Sequence, residues 1–366
     1  MRFVVIACLL ALGCSSKVSK SGGGSGSGGS SGSSGTGAAA GSGGSSGSAT
    51  GGNAGSDAGT CTAAACSAAP LTSPSNDTFA DLLFWPDKNI VVASGATSSG
   101  GQLIECAPEA ANCGSPKAGT NAYSHLAVHG SKLYVAADNQ IDSYSYTTAL
   151  TFDSTLSPKL VGNEAVGDLA ADDKYLYFSV VTPTGPTAIR QFNPSSDAVY
   201  DFSQTEDAVR VAIGSSRLFF TRDTGAYGLM LPKVDAPTAV QVGQLGSTSS
   251  LALTVVSDGK LYFTSNGPAS STLFTNNGTT LNGTKELIQT IPSNIACMTH
   301  DDQGNVFLGG ADGSVYRAAV QPVKLDKLAM LPDPVVGIAI SQKMALTVAT
   351  TSALYRVSQA HQCCGL

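Results

Sequence analysis

Asp172-Asp173-Lys174-Tyr175-Leu176-Tyr177-Phe178 is a tight polar turn running into a large apolar triplet, and the chain repeats it. Close copies are Gly130-Ser131-Lys132-Leu133-Tyr134-Val135, Ser215-Ser216-Arg217-Leu218-Phe219-Phe220 and Asp258-Gly259-Lys260-Leu261-Tyr262-Phe263. Looser ones are Asp87-Lys88-Asn89-Ile90-Val91-Val92, Gly304-Asn305-Val306-Phe307 and Gln342-Lys343-Met344-Ala345-Leu346. Measured at the first large residue, the copies stand at Ile90, Leu133, Leu176, Leu218, Leu261, Val306 and Met344, spaced by 38 to 45 residues. A length of 366 residues alone suggests two or more domains, but a fixed period overrides that prior because stacked units share one continuous core.

Each copy is embedded in the same sequence of short strands. Ahead of it lies a second apolar tetrad, as in Asp81-Leu82-Leu83-Phe84, His125-Leu126-Ala127-Val128, Asp168-Leu169-Ala170-Ala171 and Arg210-Val211-Ala212-Ile213. After it come a Gly/Ser/Thr loop and a third strand, such as Gln102-Leu103-Ile104 or Gly228-Leu229-Met230, and in several units a weaker fourth, such as Ala198-Val199-Tyr200. Four antiparallel strands in about 43 residues make one blade of a β-propeller. Blades pack face to face, so their middle strands are buried on both sides and read as continuous apolar runs, which a pair of β-sandwiches gives no reason to repeat at one period. Small residues recur at Ala127, Ala170, Ala212 and Ala339, where innermost strands are expected to converge on a crowded axis. The expected fold is therefore all-β, a propeller of about seven four-stranded blades occupying residues 61–366. The last blade stops after Ala353-Leu354-Tyr355-Arg356-Val357 with no fourth strand of its own, whereas an unassigned segment, Ala68 to Ser73, precedes the first blade. Exchange of that segment into the last blade would complete it.

The first 60 residues have a different character. Met1-Arg2 and the apolar run Phe3 to Leu12 are too short to span a bilayer, which takes ~20 residues, and read as an export signal over 1–13. Between Ser21 and Gly59 the chain is almost purely Gly, Ser, Ala and Thr, a composition that cannot offset its own ordering entropy. Residues 14–60 are thus expected to be a disordered linker with a mean reach of roughly 35 Å. The net charge of -6, with Lys and Arg scattered, offers no footprint for nucleic acid.

Ala11-Leu12-Gly13-Cys14-Ser15-Ser16 resembles the lipobox of bacterial lipoproteins. The resemblance implies that Cys14 becomes the lipidated first residue, that the membrane is a partner through this anchor, and, from Ser15, that the destination is the outer membrane. A plain secretory signal is the alternative. The repeats resemble the YWTD-type blades of low-density-lipoprotein receptors and, more closely, propeller lipoproteins of bacteria with blades of the form LAVD..YVYWT...G.I.RC. That likeness rests on Leu126-Ala127-Val128, Leu176-Tyr177-Phe178 and Gln102-Leu103-Ile104-Glu105-Cys106, and covers roughly Leu71 to Ser358. It implies fold and export class, and it implies a local disulfide between Cys106 and Cys113, which match the cysteine pair of those blades. Of the 9 cysteines, Cys297 is the odd one, a small core hydrophobe on an innermost strand. Cys61 and Cys66 lie at one end of the propeller sequence and Cys363 and Cys364 at the other. Cross-pairing between the ends is one arrangement and a local Cys61 to Cys66 bond the other. In the chain-entropy model they are worth about 5 to 6 and ~2 kcal/mol respectively.

No cofactor or metal pattern is present. His125, His129, His300 and His361 fall in no metal or nucleophile motif and are expected at strand ends or turns, and the serines have no nucleophile-elbow context. Asn76-Asp77-Thr78, Asn277-Gly278-Thr279 and Asn282-Gly283-Thr284 match the glycosylation sequon but read as turns. Glu164, Glu206, Asp207 and Asp333 precede innermost strands and open on one face, while Asp172, Asp173, Asp258, Asp301 and Asp302 sit in the next turns, on the opposite face. Two convergent acids could cleave a glycan, so a glycan-active hydrolase or lyase using channel-mouth carboxylates is one reading; turn-forming Asp is the other. The leading expectation is a monomeric binding or scaffolding module for an envelope protein or polysaccharide. Its working face is the one carrying the loops between second and third strands, Ser94 to Gly101, Ser179 to Thr187, Thr221 to Gly228 and Thr264 to Ser271, with Arg222 and Tyr227 as contact residues.

Overall fold

Alternate residues of each second strand face opposite neighbours, and this two-sided burial generates the ring. In the founding motif, Leu176 and Phe178 pack with Ala127, Tyr134 and Ile141 of the preceding unit, whereas Tyr177 packs with Val211, Leu218 and Phe220 of the following one. A computed structural model describes residues 68–72, 78–172, 174–203, 210–214, 217–222, 225–230, 240–244, 252–255, 260–277 and 283–357. Residues 1–67 and 358–366 lie outside that set, and with them the expected signal and linker, Cys14, Cys61, Cys66, Cys363, Cys364 and His361.

Seven antiparallel sheets of four strands each make up the described chain. Their innermost strands are Thr78–Trp85, Tyr123–His129, Ala165–Ala171, Arg210–Ile213, Leu253–Val255, Ile295–His300 and Val335–Ile340. Each packs against the innermost strand of the next blade, and the seventh packs against the first. Seven apolar clusters fill the gaps between blades, one for each gap. The chain is thus a seven-bladed β-propeller whose core is a set of radial layers.

Those layers correct one expectation about packing. Ala127, Ala170, Ala212 and Ala339 turn into the gaps between blades, not toward the axis. The pleat explains it: along an innermost strand successive side chains point to opposite faces, so Leu126 meets the blade before and Ala127 the blade after. Small size is needed there because the facing blade presents large residues such as Phe178 and Phe220.

The ring closes by strand exchange, as the unassigned segment suggested. Ala68–Pro70 is the outermost strand of the seventh blade and pairs antiparallel with Leu354–Val357, with Ala68 opposite Val357, Ala69 opposite Arg356 and Pro70 opposite Tyr355. Leu71 N donates to Leu354 O at 2.8 Å and Leu354 N to Thr72 Oγ1 at 3.0 Å, which extends the seal past the proline. Cys106 and Cys113 are bonded and Cys297 is a buried free thiol. Two local expectations shift. The seventh motif starts at Leu346, because Met344 lies in the turn at φ 66°. The second-to-third loops are shorter than expected, since pairing runs through Thr97–Gly100 and Thr182–Gly185 and leaves two-residue hairpins.

Candidate functional site

Four consecutive innermost strands carry a polar residue at one register position, just before the first large apolar residue. These are Asp81, His125, Asp168 and Arg210, all at most 8% exposed, where the fifth and sixth blades carry Ala252 and Cys297. The two carboxylates act alike. Asp81 accepts from its own neighbour Leu82 N at 2.8 Å through Oδ1 and from Leu126 N of the next blade at 3.0 Å through Oδ2. Asp168 accepts from Leu169 N at 3.0 Å and from Val211 N of the next blade at 2.7 Å. Each is a clasp joining two innermost strands, and Asp168 Oδ1 also lies 3.5 Å from His125 Nδ1. Both oxygens of each buried carboxylate thus have a backbone amide as partner. The sequence sets His125 at a strand end or turn, but it lies in mid-strand within Tyr123–His129, while His129 and His300 do end their strands.

The carboxylates singled out for acid–base chemistry have local duties. At the mouth formed by segments entering the innermost strands, Glu164 Oε2 takes Arg190 Nη1 at 2.8 Å, and Arg190 Nε reaches Asp201 at 3.1 Å. Asp333 accepts from the Ser352 hydroxyl. On the opposite face Asp172 accepts from Lys174 N and Tyr175 N, both at 2.8 Å, and from the Tyr177 hydroxyl at 2.7 Å. Burial, reinforced by that carboxylate, pushes the Tyr177 phenol far above its ordinary value. Asp301 accepts from Gln303 N, Asn305 N and Asn305 Nδ2 at 2.8 to 2.9 Å. Asp172 and Asp301 are therefore turn-forming residues. Asp302 is exposed, and Asp173, Glu206, Asp207, Asp258 and the sequon residues Asn76 and Asn282 lie outside the described residues. Asp312, which no sequence signal marked, sits in the second-to-third hairpin of the sixth blade. Desolvation works against its ionisation, but hydrogen bonds from Ser293 Oγ at 2.6 Å and from Ser314 N and Oγ at 3.0 Å hold its carboxyl below the usual range.

Arg222 and Tyr227 come together. Arg217–Arg222 and Gly225–Met230 form a hairpin in which Phe220 faces Tyr227 and Arg222 faces Gly225, so the three side chains share one sheet surface. Tyr227 stacks on Phe220 with centroids 5.4 Å apart and planes inclined by 17°, and the Arg222 guanidinium carbon lies 5.2 Å from the Tyr227 ring centre. Both residues are half-buried. Equivalent hairpins turn their polar groups inward: Thr97 Oγ1 donates to Gly100 O at 3.2 Å, Thr182 Oγ1 to Gly185 O at 3.1 Å, and Thr350 Oγ1 to Ala353 O at 3.1 Å. The fourth blade thus presents a guanidinium pre-set by stacking where those blades present a closed turn. Among the described residues, no group of three or more His, Cys, Asp or Glu could hold a metal ion.

The class defined here is a seven-bladed β-propeller with clasped innermost strands. No family profile matches the sequence, and no curated protein matches it. Solved propellers superpose on it at low identity. The structure of streptogramin B lyase matches with a TM-score of 0.62 at 11% identity over 79% of this chain and 96% of that one. The extracellular domain of the putative hybrid two component system BT4673 from B. thetaiotaomicron matches with 0.61 at 12% identity over 80% of this chain and 40% of that one. The WD40 propeller of Doa1 gives 0.59 at 13% identity over 81% and 98%. Likeness at this level of identity is a likeness of fold.

Proposed function

We propose that the protein is a lipoprotein of the bacterial outer membrane, anchored through Cys14, whose propeller binds a protein or glycan partner. The contact face carries the second-to-third hairpins, with Arg222 and Tyr227 as contact residues. The observation that supports this reading is the Phe220–Tyr227–Arg222 stack, because a guanidinium already held against an aromatic ring loses little freedom on meeting an anionic or hydroxyl-rich partner. Among solved structures of similar fold are the extracellular domain of a putative two component system and a lyase, so the fold alone does not decide between binding and chemistry. Binding is preferred here because Glu164 and Asp333 at the mouth are engaged within their own blade. The terminal cysteines fit the same picture of an exported ring. Cross-pairing of Cys61 and Cys66 with Cys363 and Cys364 is part of the proposal, because in the sequence Cys66 precedes Ala68 by two residues and Cys363 follows Val357, the residue paired with Ala68, by six. A non-reducing peptide map showing Cys61 joined to Cys66, with free thiols at Cys363 and Cys364, would refute that pairing.

Two measurements test the main reading. Metabolic labelling with palmitate should mark the wild-type chain and not Cys14→Ser. The purified full chain, immobilised and probed with acidic and neutral envelope polysaccharides and with envelope proteins, should retain a partner. Arg222→Ala should weaken retention at least tenfold, and Tyr227→Phe should preserve it by keeping the stack. Retention indifferent to Arg222→Ala in a folded variant removes this face from consideration.

A further inference from the structure

We propose that the Cys106–Cys113 loop is a reducible latch on the closure of the ring. One chain closing a circle leaves one covalent gap, and here it falls inside the seventh blade, between Leu354–Val357 and Ala68–Pro70. Every contact between residues 335–357 and residues 68–118 therefore holds the ring shut. The closing strand is only 3 residues long and includes a proline, which has no amide to donate.

The loop lies across this gap. It leaves the first blade at Cys106 and returns at Cys113, and both cysteines pack in the cluster between the seventh and first blades, with Leu71, Phe79, Val336, Ala339 and Leu354. From the loop, Glu109 meets Lys343 Nζ at 3.1 Å, in the turn between the first and second strands of the seventh blade. Ala107 O accepts from Arg356 Nη2 at 3.3 Å, and Arg356 is the residue paired with Ala69 of the closing strand. The loop also takes over an edge. The fourth strand of the first blade is only Lys117–Ala118, so beyond Leu103 the third strand has no fourth-strand partner, and Glu105 O accepts from Gly114 N at 2.8 Å instead. The disulfide fixes a segment that serves one blade as its edge and the other as a buttress.

Cys106 is 2% exposed and Cys113 half-buried, so a dithiol reductant reaches the bridge at Cys113. Its thiolate attacks Cys113 Sγ, the S–S bond breaks, and Cys106 leaves as thiolate and takes a proton. The second thiolate of the reductant then attacks the mixed disulfide and releases Cys113, which also takes a proton. The protein gains two electrons and two protons, and the dithiol becomes a disulfide.

Amide exchange on the full chain reads the latch directly. Leu71, Phe79 and Leu354 donate across the closure, to Leu354 O, Thr351 O and Thr72 Oγ1, whereas Leu126 and Val211 donate across continuous seams to Asp81 and Asp168. In the double variant Cys106→Ser, Cys113→Ser, exchange at the first three should rise tenfold or more, with less than twofold change at the other two. Arg356→Gln, which keeps the disulfide, should raise the same three by a smaller factor. Unchanged protection at the closure, an equal rise at all five amides, or no response to Arg356→Gln overturns the latch. A chain with Cys61, Cys66, Cys363 and Cys364 all replaced by Ser should behave like the double variant once dithiothreitol is added. If it resists the reductant while folded, the bridge is not reducible and the redox part fails.

Discussion

The seam between the third and fourth blades and the closure between the seventh and first solve one problem in opposite ways. In the former, Asp168 reaches from one innermost strand to Val211 N of the next at 2.7 Å. In the latter, the corresponding residue is Gly337, and a Cβ built on it would meet Leu82 Cβ at 2.4 Å and Leu82 N at 2.8 Å. The strands approach too closely there for any side chain, and Leu82 N is satisfied by its own Asp81 instead. In the seam between the third and fourth blades, where the chain runs on, one buried carboxylate serves as a clasp. Where it does not, close backbone contact, an exchanged strand and a cross-linked loop share the task.

The largest expected effect comes from breaking the clasp. Asp168→Ala leaves the amides of Leu169 and Val211 buried without acceptors and His125 without its carboxylate, and should cost about 3 to 5 kcal/mol by urea denaturation. Next in size is the closure. Leu71→Ala removes a side chain 6% exposed in the last gap and should cost about 2 to 3 kcal/mol, with protease cleavage appearing first near residue 71. Gly337→Ala forces methyl against backbone and should cost about 1 to 3 kcal/mol, concentrated in the protection of Leu71 and Phe79. Lys343→Ala removes an ion pair whose side chains are 71% and 58% exposed, so a change below about 1 kcal/mol is expected, vanishing at high salt.

A group outside both seams calibrates the comparison. The Asp312 carboxyl is held below its usual range, so its contribution is present above the unfolded value of about 4 and fades as pH falls through the lower folded value. Ser293→Ala should move its titration, followed by NMR, back toward the ordinary value while leaving both seams equally protected.

The period, the two-sided burial of Leu176-Tyr177-Phe178 and the missing fourth strand of the last blade were readable because each follows from backbone pleat and repeat count alone. The side-chain logic of the innermost strands was not. Asp81 and Asp168 precede apolar tetrads in the same way that a turn aspartate would, and only the neighbouring blade, about 43 residues away in sequence, reveals the second amide each one holds. For the same reason His125 read as a strand-end residue. Of the candidate site, Arg222 and Tyr227 stand out in the sequence only by residue type, and their meeting depends on the register that sets Phe220 opposite Tyr227.

Because the exchanged strand Ala68–Pro70 is the outermost of its blade, the polypeptide joins the wheel at its rim and not at its hub. Were a tether to lead into that strand, the ring would hang by its edge and could turn either side toward a partner, as a coin on a thread does.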